Sequence, residues 1–142
     1  MKLNPSYTAI ALIIIYISLV FFCCLHHFSG ADNLDLGTFF LGIRLDRYIH
    51  FVMFFPYPFT AWLFLNYNKK FASWSRYTPS IILLSGFVLA TVAEASQELF
   101  TSYRDTDPFD LVANYTGISA ATLLVYILQK PIKNISNWIF TI

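Results

Sequence analysis

The chain has 142 residues, of which 57% are hydrophobic, 19% aromatic and only 12% charged, with a formal net charge of +1. An ordinary soluble domain carries about a quarter charged residues, so this composition points to an integral membrane protein, and the near-neutral balance argues against a nucleic-acid partner. The length suits one compact membrane domain over residues 1–142, with no room for a second.

The first candidate span, Tyr7 to Leu25, is an uncharged run rich in Ile, Leu and Phe. Lys2 gives it the basic start of a secretory signal. No small-x-small cleavage site precedes Cys23, and the run has close to the roughly 20 residues needed to cross the hydrocarbon core, so it is read as a retained helix. Cys23 and Cys24 are adjacent, which disfavours a bridge between them, and they are read as packing residues. His26 and His27 fit no zinc spacing; no metal or cofactor is expected. The following outer loop, roughly His26 to Leu45, holds Gly30, Gly37, Gly42 and two apolar stretches, and is expected to fold back against the membrane surface.

The second span runs from Asp46 to Leu65. Asp46 and His50, four apart, share a helix face. Either the acid orients the imidazole for proton transfer or ligand contact, or Asp46 sits at a helix N-terminus favoured by the macrodipole and His50 is interfacial. Pro56 and Pro58 predict a kink. The inner loop, Asn66 to Thr78, mixes Lys69, Lys70 and Arg76 with Trp74 and Tyr77, a composition that suits the membrane interface.

The third span, Pro79 to Phe100, carries Glu94, Gln97 and Glu98 on one face. Glu94 lies about 9 Å below the outer helix end at 1.5 Å per residue. A carboxylate at that depth needs a partner, a wet pocket or a proton, and is a functional-site hypothesis by default. Glu98 is read as a solvated rim residue. Arg104, in the tight loop from Thr101 to Asp107, is the expected counter-charge for Glu94 or Asp110, or an anion binder with fork geometry. Asp105 is read as solvated. Asp107-Pro108 reads as an N-cap followed by proline at the first helical position.

The fourth span covers about 110–129 and is uncharged from Leu111 onward. Asn114, one turn below Asp110, is expected to face Glu94 or Gln97. Gly117 and Ala121 form a small-xxx-small pair that permits close helix contact. The tail from Pro131, with Trp138, is placed at the inner interface.

The Lys/Arg bias sets orientation. Lys2, Lys69, Lys70, Arg76, Lys130 and Lys133 fall on one side of an even number of spans, so both termini are expected in the cytoplasm. All eight acids fall on the other side, with Arg44, Arg47 and Arg104. The fold class that follows is all-α: a polytopic four-helix membrane bundle.

No G-x-S-x-G, Walker-type loop, H-E-x-x-H or dinucleotide fingerprint occurs. The order of the polar motifs nevertheless resembles the VanZ-like family of small bacterial membrane proteins. That family's D-[KR]-x-x-H-F reads Asp46-Arg47-Tyr48-Ile49-His50-Phe51 here. Its E-x-x-Q in the next span reads Glu94-Ala95-Ser96-Gln97. An Arg (Arg104), an Asp-rich turn (Asp107, Asp110) and N-x-x-G (Asn114-Tyr115-Thr116-Gly117) follow, and the likeness covers roughly residues 7 to 129. Ala121 stands where family members frequently have a second small residue, often Gly.

The resemblance implies a protein of the bacterial cytoplasmic membrane associated with the envelope. The family's founding member is linked to low-level teicoplanin (glycopeptide) resistance. On this reading Asp46, His50, Glu94, Gln97, Arg104, Asp107, Asp110 and Asn114 form an outer-facing ligand site. Its partners would be membrane lipids and a lipid-linked or cell-wall precursor. One alternative is a hydrolase or transferase acting on envelope lipid, with His50 or Glu94 as general base. Another is a non-catalytic subunit bound to a second membrane protein.

Overall fold

The computed structural model describes residues 4–26, 38–101 and 107–141. Helix α1 spans Pro5–Leu25. Asn4 caps it, its side chain accepting from the Ser6 N–H at 3.0 Å, and Pro5 occupies the first turn, where its missing N–H costs nothing. A two-residue hairpin follows, β1 (Phe39–Phe40) and β2 (Ile43–Arg44), paired antiparallel. Its turn holds Leu41 and Gly42 at φ of 51° and 79°. Positive φ at both central residues suits a tight hairpin turn, although leucine is a strained occupant of the first position.

The second span is two helices, α2 (Leu45–Phe54) and α3 (Tyr57–Tyr67). The expected kink is a full break, because two prolines fall within three residues. Pro56 and Pro58 have no N–H to offer the carbonyls a turn earlier. At the break the Met53 carbonyl accepts a hydrogen bond from the Tyr16 hydroxyl of α1 at 2.8 Å. A freed backbone acceptor in an apolar interior is thus satisfied by a neighbouring helix.

A 3-10 segment, Lys69–Tyr77, leads into α4 (Thr78–Phe100). Helix α5 runs from Pro108 to Thr141 as one helix of 34 residues, passing through Pro131. The sequence placed the end of this span at residue 129; the helix instead continues by at least three turns. At 1.5 Å per residue it is about 51 Å long, well beyond a hydrocarbon core of about 30 Å. Its added turns are held against α3, where the Tyr67 hydroxyl lies 2.6 Å from both Ser136 Oγ and Asn137 Oδ1.

Four stretches are long and apolar enough to cross a membrane: Pro5–Leu25, Leu45–Tyr67, Thr78–Phe100 and Pro108–Ile139. Helix α5 packs on α2, α3 and α4, while α1 lies against α3 and α4. One apolar core gathers Val20, Phe54, Ala90, Ala93 and Ile118; a second gathers Tyr57, Ala61, Trp62, Ile82 and Val125. Large apolar side chains such as Ile14, Leu19, Val88 and Leu123 point outward. Water would disfavour that surface, whereas lipid tails accept it.

The approach of α2 to α5 is set by Gly117. A Cβ there would lie 2.5 Å from the Phe51 carbonyl oxygen, so no larger residue fits without separating the helices. Gly86 plays a softer version of this role, where a Cβ would meet side-chain atoms of Ile118 and Tyr57 at 2.8 and 2.9 Å.

Candidate functional site

Three helix ends meet at one end of the bundle. Helix α2 contributes Asp46, Arg47 and His50 from its first turns. Helix α4 contributes Glu94 and Gln97 from its last two turns. Helix α5 begins beside them with Asp107, Asp110 and Asn114. The close α2–α5 crossing at Gly117 draws His50 and Asn114 into contact one turn nearer that end.

The inner part of the cluster is almost wholly buried. His50 is 1% exposed and Asn114 0%. His50 Nδ1 lies 3.2 Å from both Asn114 Oδ1 and Glu94 Oε1. Both neighbours present an oxygen to the ring nitrogen, so the Nδ1–H tautomer would donate to them. The Asn114 amide donates to Glu94 Oε1 at 2.6 Å, which orients the amide oxygen toward the imidazole. On the other side of the ring, Nε2 lies 3.6 Å from Asp110 Oδ2. That contact is an ion pair when the imidazole is protonated. The arrangement sets one imidazole of α2 between carboxyl groups of α4 and α5, with Asn114 beside it.

The rim is built by arginines. Arg44 Nη2 contacts Asp46 Oδ2 at 2.6 Å, and its Nη1 reaches Asp107 Oδ2 at 3.3 Å. Arg47 Nη2 contacts the same Asp107 oxygen at 3.3 Å, and its guanidinium sits 4.4 Å from the centre of the Phe109 ring, a cation–π distance. Asp107 Oδ1 accepts from the Phe109 N–H at 2.9 Å, the expected N-cap of α5. The Phe109 N–H first, then the Arg47 hydrogen bond and the Arg47 and Arg44 charges, hold the Asp107 carboxyl below its ordinary range against partial desolvation.

The expected residues divide cleanly. His50, Glu94, Asp110 and Asn114 converge, and Asp46 and Asp107 are joined through Arg44. Asp46 does not orient His50; its Oδ1 accepts from the Arg47 N–H at 2.8 Å, as an acid at the start of a helix does. Gln97 is buried but turns away, its amide donating to the Cys24 carbonyl at 3.2 Å and tying α4 to the end of α1. Glu98 is exposed, as a rim residue. Arg104, the expected counter-charge, lies outside the described residues, as do Asp105 and His27.

Sequence reasoning did not select Arg44 and Arg47 for the site. The signal was available: both flank Asp46, and Arg47 occupies the basic position of the D-[KR]-x-x-H-F pattern. Three buried polar atoms in this cluster make no hydrogen bond among the described residues: Arg44 Nε, Arg47 Nε and Asp110 Oδ1. Compared with known proteins, the chain matches no family model, no curated protein and no solved structure.

Proposed function

We propose that the chain is a VanZ-like multi-pass protein of the bacterial cytoplasmic membrane, with cytoplasmic termini. Its outer-end cluster binds the phosphate-bearing headgroup of an envelope lipid or lipid-linked cell-wall precursor. The three orphaned atoms carry the proposal. A network whose only task is to tie helices together pairs its members, since each buried polar atom left alone costs about 1–3 kcal/mol. Here two guanidinium N–H donors and one carboxylate oxygen are left over in one cluster. A phosphate supplies acceptors for Arg44 and Arg47, and a headgroup hydroxyl supplies a donor for Asp110.

The self-pairing of His50, Glu94 and Asn114 favours a second reading, an internal tie within a non-catalytic subunit. The enzyme reading draws less support, because both imidazole nitrogens of His50 already face protein side chains.

The test is the lipid retained by protein purified in mild detergent and weighed by mass spectrometry. Wild-type protein is expected to retain a phosphate-bearing lipid. Arg44→Gln with Arg47→Gln is expected to lose at least about tenfold of it, the equivalent of one charge-assisted hydrogen bond, at unchanged membrane accumulation. An identical lipid complement in both would leave the internal tie as the account.

A further inference from the structure

A cavity of about 270 Å³ opens at the end of the bundle remote from this cluster, between the last turns of α3, the start of α4 and the middle of α5. Thr78, on its wall, is sixteen residues from Glu94 along α4, or about 24 Å.

Its charge is one-sided. Arg76 brings a guanidinium to the wall, Gln129, Thr78 and the Trp62 indole add hydrogen-bond donors, Asn66 donates to the Trp62 carbonyl at 3.0 Å, and no Asp or Glu lines the cavity. Arg76 and Gln129 are exposed and have no hydrogen bond or ion pair among the described residues. Trp62 lines the same wall, and its indole N–H makes no hydrogen bond among the described residues. Helix α4 begins at this wall without a side-chain cap and with Pro79 in its first turn, so the positive end of its dipole, rather than a full set of N–H donors, adds to the potential. Ile82, Val125 and Pro79 supply apolar surface beside the donors.

We infer that this cavity is a second binding site, for a phosphate ester. A guanidinium, amides and an indole N–H together match an anion with several acceptor oxygens. The volume falls just below the usual range for drug-sized ligands, about 300–1,000 Å³, so it admits a headgroup and excludes a whole lipid. The apolar wall accommodates the glycerol carbons or first methylenes attached to the phosphate. The source is either a membrane phospholipid or a soluble phosphate ester.

The experiment uses the full chain in a neutral detergent, with Trp74→Phe and Trp138→Phe so that Trp62 alone of the three tryptophans reports. The probes are dihexanoyl-phosphatidylglycerol, glycerol 3-phosphate and, as the phosphate-free control, dihexanoylglycerol. A saturable emission change with phosphatidylglycerol alone identifies a lipid headgroup as the occupant; an equal response to glycerol 3-phosphate identifies a soluble ester. In either case Arg76→Gln weakens the response about tenfold, and Gln129→Leu weakens it severalfold. Both positions are exposed, so both variants are expected to fold. No response to either anion, an equal response to dihexanoylglycerol, or an Arg76→Gln response equal to wild type overturns the inference.

Discussion

At the scale of single residues, the acids of the cluster are not equivalent, and Asp107 shows why. It caps α5 and receives two guanidinium groups while remaining partly exposed. Its carboxyl is therefore held below the ordinary range, chiefly by the Phe109 N–H. A carboxylate whose folded pKa is depressed contributes stability that is complete above its unfolded value and is lost as pH falls through the folded value. Asp107→Asn keeps a good cap and removes the charge. The thermal midpoint of wild type is thus expected to exceed that of Asp107→Asn at neutral pH. The gap should shrink toward zero as pH drops below the ordinary carboxylate range, and melts of both proteins across acidic pH check this. A gap independent of pH would mean that the cap geometry, not the ion pairs, supplies the difference. Asp107 as a cap and Asn114 facing Glu94 were both legible from helix periodicity and turn chemistry. The Arg44–Asp46 and Arg44–Asp107 pairs were not. They depend on where the hairpin returns the chain to α2, which no helical spacing encodes.

At the scale of elements, span positions were legible from apolar run length, while their internal form was not. Pro56 and Pro58 announced a disturbance; the break they make leaves the Met53 carbonyl to accept from Tyr16 of α1. Pro131 suggested an end to α5, yet the helix continues because Tyr67 of α3 engages Ser136 and Asn137 beyond it. A tertiary partner completes each case. Gly117 gives the clearest test at this scale. Its Cβ would strike a backbone oxygen, which cannot rotate away, whereas a Cβ at Gly86 meets side-chain atoms of Ile118 and Tyr57. Gly117→Ala is expected to cost about 1–3 kcal/mol, the range for overpacking a close-packed core. Gly86→Ala is expected to cost less, because the Ile118 and Tyr57 side chains it meets can move where the Phe51 carbonyl cannot. Unfolding midpoints of the two variants in the same detergent measure the order. A reversed order would mean that the α2–α5 crossing is slack. The larger effect should also reach the site, since the Gly117 contact is one turn from the His50–Asn114 pair.

At the scale of the whole molecule, the two ends of the bundle are chemically opposite. The described acids Asp46, Glu94, Glu98, Asp107 and Asp110 gather at one end, and Lys69, Lys70 and Arg76 lie at the other. In a membrane this polarity sets a direction, because Lys and Arg are retained on the cytoplasmic side. On the proposed orientation the acid-rich end, with its arginine rim, faces outward, the side on which the proposed function requires it. Single-cysteine accessibility tests this directly. In a background of Cys23→Ala and Cys24→Ala, the exposed positions Thr38 and Lys70 are each replaced by cysteine and labelled with a membrane-impermeant maleimide. Intact cells are expected to label Thr38→Cys and to spare Lys70→Cys until the membrane is opened. The reverse pattern would put the polar cluster in the cytoplasm, and a role in handling outer-leaflet precursors would fall with it. Labelling of both positions in intact cells would contradict an odd number of crossings between them, and hence Leu45–Tyr67 as a span. The geometry of the site would survive either result, since His50, Glu94, Asp110 and Asn114 are held by helix packing rather than by the sidedness of the bilayer.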